Sequence, residues 1–287
     1  IMKAFYLTMV AATFALSGIA QNSIRPNIYL QDMQYYNPAS VAIDSTQSLQ
    51  ITIYTKYEWV DNDKDIWNKP MNIWLSHAAR IGKTNSFYTL SYVNDAYSFF
   101  NRNALYIGYV RQKKLGKTSS LSYGGRVVAN MDVIKWNKLQ LPHSEGGNSL
   151  RFNPDLDLGV SYQYKKFTAG VGIKNIIGSS TKIENATLLK NHREVNVNLS
   201  YQQNIGKKCS VTPFLLLANE RSTLIDAGLS FSAFKFVSAS YTLRVNELKS
   251  VITLNVDVDK HFSVGIAYDR SDLVSDNNFD FVLRYRR

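Results

Sequence analysis

Val195-Asn-Val-Asn-Leu-Ser-Tyr-Gln202 sets Val195, Val197, Leu199 and Tyr201 against Asn196, Asn198, Ser200 and Gln202. Successive side chains of an extended chain point to opposite faces, so this alternation predicts a strand with one apolar and one polar face. Phe262 to Asp269 repeats it, with Phe262, Val264, Ile266 and Tyr268 on one face and Ser263, Gly265, Ala267 and Asp269 on the other. Phe167 to Lys174 does so again, with glycines at 170 and 172 on the small face. Helical spacing is scarce along the chain, and a period of two is frequent.

Fourteen such runs can be traced, near 48–59, 70–80, 86–94, 103–112, 119–131, 155–165, 167–176, 193–204, 209–218, 222–232, 235–245, 249–258, 261–269 and 278–287. Most span nine to thirteen residues. Soluble strands centre on about 5–6 residues, whereas a tilted strand crossing a bilayer needs roughly 9–11. The expected fold is therefore all-β, a transmembrane outer-membrane β-barrel of 14 antiparallel strands over residues 48–287. Several connections are long (Val60–Lys69, Asp132–Pro154, Ile177–His192, Ser271–Asn277), and the alternate ones are short. Outer-membrane barrels place short turns in the periplasm and longer loops outside. An even strand number puts both ends of the wall on the short-turn side. Recognition is expected on Asp132–Pro154 and Ile177–His192, because barrels carry it on long loops.

Residues 1–20 read as a secretory signal peptide: Lys3, an apolar run from Ala4 to Leu16, then Gly18-Ile19-Ala20 before a cleavage point. Beyond Gln21 no apolar stretch reaches about 18 residues, so no transmembrane helix is expected. Residues 21–47 form an N-terminal segment containing Leu30-Gln-Asp-Met-Gln-Tyr-Tyr-Asn-Pro-Ala-Ser40. Pro38 fixes its own φ and pushes Asn37 toward extended geometry. A fourteen-stranded barrel is wide enough to enclose a lumen. The segment is expected to enter that lumen or cap its periplasmic mouth, with Tyr35 and Tyr36 as packing anchors beside Asn37, Pro38 and Ala39. The plainer reading is a flexible linker.

The chain holds 33 Lys and Arg against 22 Asp and Glu. Lys113, Lys114, Lys117, Lys165, Lys166, Lys207 and Lys208, with Lys83 and Lys260, fall in the short turns. They predict a basic periplasmic rim, open to an acidic partner, to anionic lipid heads, or simply to solvent. Tyr54, Tyr57, Trp59, Trp67, Trp74, Tyr106, Tyr109, Trp136, Tyr162, Tyr164, Tyr201, Tyr268 and Tyr285 lie toward run ends, as an interfacial aromatic girdle would, although tyrosine also favours strands generally. Cys209 is the single cysteine, which excludes an intrachain disulfide or a thiolate metal cluster. His77, His143, His192 and His261 have no partner at metal-ligand spacing. Ser76 and His77 are neighbours that a strand points to opposite faces. No phosphate or dinucleotide fingerprint occurs. The expectation is no catalytic residue, no metal, no cofactor and no nucleic acid partner.

Several stretches, in order, resemble the PorP/SprF family of the type IX secretion system of Bacteroidota. They are Gln31 to Ala39 with its Asn37-Pro-Ala; Phe152-Asn-Pro-Asp-Leu-Asp-Leu-Gly-Val-Ser-Tyr162 followed by Phe167 to Asn175; Ile225-Asp-Ala-Gly-Leu229; Ala239 to Arg244; and Val264 to Arg270. The chain departs from the family where Ser40-Val41-Ala42 follows the Asn-Pro-Ala. The resemblance implies an outer-membrane component that partners secretion machinery or a secreted protein bearing a C-terminal targeting domain. The other reading of the barrel is a passive channel or hydrophobic-compound transporter. In either case outer-membrane lipid surrounds the wall.

Overall fold

The computed structural model describes residues 26–27, 29–30, 32–42, 49–59, 71–97, 100–135, 148–183, 186–219, 223–234, 236–271 and 277–287. The expected signal peptide, Trp67, Trp136 and His143 lie outside these. Fourteen strands form the wall: β1 Leu49–Trp59, β2 Met71–Arg80, β3 Ser86–Tyr97, β4 Phe100–Lys114, β5 Ser119–Ile134, β6 Ser149–Tyr164, β7 Phe167–Lys174, β8 Glu194–Tyr201, β9 Cys209–Asn219, β10 Thr223–Ala233, β11 Val237–Arg244, β12 Lys249–Asp257, β13 Phe262–Ser271 and β14 Asn277–Arg286. Every strand pairs antiparallel with its sequence neighbours, and β1 pairs β14 from Gln50↔Arg286 to Trp59↔Asn277. The sheet is a closed barrel with no free edge, which satisfies the backbone in lipid.

The alternation points outward for apolar residues and inward for polar ones, the reverse of a soluble protein. Val127 is 60% exposed and its neighbour Arg126 is 3% exposed. Ile51, Ile53, Ile107, Leu158, Val264, Ile266, Phe281 and Leu283 face out, while Asn130, Asp157, Asn196, Ser263, Asp269 and Asp280 face in and are buried. An apolar outer band around a polar interior is the arrangement a lipid-facing barrel requires. No described helix is long and apolar enough to cross a membrane; the crossing is made by strands.

Prolines sit where the ladder can spare a donor. Pro154 pairs with Ala129 of β5, but the pairing of β6 with β7 covers only Leu158 to Tyr164. A break just after β8, at Gln202 and before the short strand Gln203–Ile205, falls between the pairs Ser200↔Phe214 and Gln203↔Val211, beside Pro213.

Two expectations need correction. The loop expected over Asp132–Pro154 is shorter, because β5 continues to Ile134 and β6 begins at Ser149. Asp132 and Asn153 face inward, where Asp132 holds Arg102 (Nε to Oδ1, 2.7 Å) and Asn153 Nδ2 donates to Asp132 at 2.8 Å. Polar residues at lumen positions look like loop composition in sequence. Second, Tyr54, Trp74 and Tyr106 are not girdle residues; they point into the lumen, where Tyr54 and Trp74 are buried and Tyr106 packs against the same cluster. Tyr109, Tyr162, Tyr164 and Tyr201 are on the outer surface.

The expected loop Ile177–His192 carries a small hairpin of its own, Ser180–Ile183 with Ala186–Lys190. Its base is tied to the inner wall. Asp155 accepts the backbone N–H of Ile177 at 3.0 Å and the amide of Asn191 at 3.2 Å. Asp157 accepts the backbone N–H of Asn175 at 2.8 Å.

Candidate functional site in the barrel lumen

The described part of the N-terminal segment, residues 26–27, 29–30 and 32–42, lies inside the barrel. Its backbone folds on local chemistry. Asp32 caps a 3₁₀ turn at Met33–Tyr35 by accepting from the Gln34 N–H at 3.2 Å. Asn37 closes an Asx turn onto the Ala39 N–H at 3.0 Å, and Ser40 Oγ returns to the Asn37 carbonyl at 2.7 Å. Pro38–Ala42 then forms a second 3₁₀ turn. These two compact turns fill a bore that an extended chain would leave open.

Inward side chains of the wall bind the segment's exposed backbone. Arg126 uses all three guanidinium nitrogens: Nη1 donates to the Gln34 carbonyl at 2.7 Å, Nη2 to the Tyr35 carbonyl at 3.1 Å, and Nε to Asp157 Oδ2 at 2.7 Å. Its plane lies over the Tyr106 ring, 4.5 Å from the centroid. A guanidinium this deeply buried is tolerable because each of its nitrogens has a hydrogen-bond partner and its charge faces Asp157. Asn196 Nδ2 donates to the Tyr36 carbonyl at 3.2 Å. Asn37 donates to the Val160 carbonyl at 3.0 Å and to Ser161 Oγ at 2.9 Å. Asp32 accepts from Ser76 Oγ at 2.5 Å and Trp74 Nε1 at 3.4 Å. At the segment's start, Asn27 donates its backbone N–H to Asp280 (2.8 Å) and its amide to Asp269 (2.7 Å). Tyr54 also donates to Asp280, at 2.6 Å.

Aromatic packing completes the attachment. Tyr35 meets Trp74 edge-to-face with centroids 5.2 Å apart, Tyr36 at 5.0 Å, and Tyr36 meets Tyr29 at 5.5 Å. Lys174, paired with Glu194 at 3.2 Å, places its ammonium 3.9 Å from the Tyr35 centroid. Offset and edge-to-face rings each add about 0.5–1.5 kcal/mol beyond burial. Ala39 is fully buried with Phe87 and Val110.

Three glycines form the seat beneath Tyr36-Asn37-Pro38. A Cβ on Gly172 would collide with the Tyr36 carbonyl oxygen, and one on Gly159 with Asn37 Oδ1. One on Gly170 would come within 2.6 Å of Asn37 Nδ2. Backbone approaches this closely only where no side chain intervenes.

On the other side the fit is looser. Between the segment and strands β10–β14 lies a cavity of about 220 Å³, lined by Asn27, Leu30, Ser240, Thr253, Asn255, Arg284 and neighbouring polar side chains. It has room for several waters.

Tyr35, Tyr36, Asn37, Pro38 and Ala39 thus come together at the centre of one site. The lysines lie apart from it: Lys113, Lys114, Lys117, Lys165, Lys166, Lys207 and Lys208 are all exposed at the short-turn end. Sequence reasoning missed the wall residues that grip the segment, Arg126, Asn196 and the glycine seat, and the segment's own polar anchors Asn27 and Asp32. The signal available was a charge at an inward position, since Arg126 stands between Gly125 and Val127 in a β-rich stretch. Ser76 bonds Asp32 rather than a histidine, and His77 turns outward onto Tyr88, centroids 5.3 Å apart. Among the described residues no group of His, Cys, Asp or Glu could hold a metal ion.

The family model described as type IX secretion system membrane protein PorP/SprF matches residues 18–285. No curated protein matches the chain in sequence. Among solved structures, the CymD monoaromatic hydrocarbon channel is similar at TM-score 0.56 and 9% identity, covering 95% of each chain. The toluene transporter TbuX of Ralstonia pickettii is similar at TM-score 0.56 and 9% identity, over 90% of this chain and 92% of that one. The toluene transporter TodX of Pseudomonas putida gives TM-score 0.51 and 11% identity, over 96% of each. At such identities the likeness is one of fold.

Proposed function

Because the chain belongs to the PorP/SprF family of type IX secretion system membrane proteins, we propose that it is a non-enzymatic outer-membrane barrel that docks or retains a secreted partner, or a component of the secretion machinery. The observation that carries this reading is the occupied lumen. Arg126, Asn196 and the glycine seat bind the chain's own segment, so residues 26–42 act as a plug and recognition falls to the barrel's ends. The extracellular end offers the connection between Ile134 and Ser149 and the hairpin loop 175–193, whose base Asp155 and Asp157 hold in one position. A preordered loop loses less entropy on binding.

A hydrocarbon channel needs an open apolar path; here the inward apolar residues, such as Trp74, Phe214, Leu216 and Val251, are packed with Tyr29, Tyr35 and Tyr36 of the segment, and buried Arg126, Lys174, Asp226 and Arg244 share the bore. That chemistry favours docking over transport. The test is affinity capture of the tagged protein from outer membranes. Recovery of a secreted protein or a secretion component, lost when loop 175–193 is shortened, is the expected result. Capture of neither, together with steady conductance of the intact protein in planar bilayers, would overturn the reading in favour of a channel.

A further inference from the structure

The short turns at the ends of β4, β6 and β8 are joined edge to edge. Lys165 N–H donates to the Thr118 carbonyl at 2.8 Å, and Gln202 N–H to the Lys166 carbonyl at 2.9 Å. Phe234 N–H then donates to the Lys208 carbonyl at 2.7 Å. The seven lysines from 113 to 208 therefore make one continuous arc over about half the rim. Within it no Asp or Glu occurs at 108–125, 158–171 or 199–213. Arg111, outward-facing and paired with Tyr123, adds to the same charge. The opposite arc differs: Asp257 binds Arg286 at 2.6 Å. Asp259 accepts the backbone N–H groups of Phe262 and His261, which hold its carboxyl below the usual carboxylate range.

Directly beside the basic arc, the outer wall carries Tyr109, Tyr123, Tyr162, Tyr164, Phe167 and Tyr201, all exposed. The β6–β7 turn is only Lys165-Lys166, so two ammonium groups stand one residue from lipid-facing rings. Lys165 lies over the Tyr164 ring at 5.4 Å, and Lys208 over Phe234 at 5.5 Å. Aromatic rings settle at the lipid–water boundary, so the lysines sit at the depth of the phosphates rather than out in the aqueous space.

We propose that this arc is a binding site for anionic phospholipid headgroups of the leaflet at the short-turn end. Lysine ammoniums meet the phosphate charge, and the hydroxyls of Tyr123, Tyr162 and Tyr164 below them donate to its ester oxygens. The site concerns the outer wall and stands independently of docking at the loops.

The test uses the full-length protein in nanodiscs of phosphatidylcholine with a minority of phosphatidylglycerol. Lipids retained on delipidation are read by native mass spectrometry. Phosphatidylglycerol should be retained about tenfold over its share. The variant K113Q/K165Q/K166Q/K208Q should lose that preference, while K260Q, on the other arc, keeps it. Unchanged heat-modifiable gel migration shows that each variant is still a barrel. Equal retention of both lipids by the wild type, or an unaltered preference in the fourfold variant, would overturn the proposal. Lysine-dependent capture of an acidic periplasmic protein without lipid preference would assign the arc to a protein instead.

Discussion

The two walls of the lumen treat the N-terminal segment differently. Strands β2 to β8 meet it with matched donors, stacked rings and a glycine seat. Strands β10 to β14 meet it through Asn27, through Leu224, Val251, Ala267 and Val282 in one buried cluster with Tyr29 and Tyr36, and, beside Asn27 and Leu30, across a polar cavity. The first wall holds the segment by directional bonds and close backbone fit, whereas the second packs its tyrosines and leaves its start beside a polar cavity. Substitutions on the two walls should therefore have unequal effects.

The sharpest break is Arg126→Leu. It removes the donors to two segment carbonyls and strips Asp157 of its charge partner. Breaking such a buried pair costs about 3–5 kcal/mol. Segment residues 26–42 should become cleavable by added protease in the detergent-solubilised barrel, and planar-bilayer conductance should rise. Gly172→Val comes next. Its side chain occupies the place of the Tyr36 carbonyl, and overpacking costs about 1–3 kcal/mol. The same protease assay should show partial release, with the barrel's heat-modifiable migration unchanged. Asn37→Ala loses the donors to Val160 and Ser161 and the Asx turn onto Ala39, worth about 1–2 kcal/mol together. A lower unfolding temperature with the segment still protected is expected. Smallest should be Ser238→Ala, since Ser238 of β11 also lines that polar cavity, within about 0.5 kcal/mol by thermal unfolding. A Ser238→Ala effect as large as that of Arg126→Leu would erase the distinction between the walls.

Much of this was legible in the sequence, for physical reasons. A period of two held over strands of membrane length left few alternatives to a barrel, and each of the fourteen traced runs corresponds to a wall strand. The sign of the alternation was harder to read. Tyr54, Trp74 and Tyr106 have the composition of a girdle, yet they stand at inward positions. A tyrosine serves equally at the lipid boundary and against a buried ring. Asp132, Asn153 and Pro154 looked like loop because polar lumen residues and turn residues share a composition. The site was half visible. Tyr35-Tyr36-Asn37-Pro38 stood out as unsuited to helix or strand, whereas its receptor is assembled from residues up to 160 positions away, such as Asn196. No local pattern reports a match of that kind.

Asn27 bonds Asp269 on β13 and Asp280 on β14, and Asn37 bonds Val160 and Ser161 on β6. One short stretch therefore touches both the middle and the end of the chain. During biogenesis these partners are not all present until the last strand has been laid beside the first. The full set of bonds that holds the segment therefore exists only in the completed ring of strands.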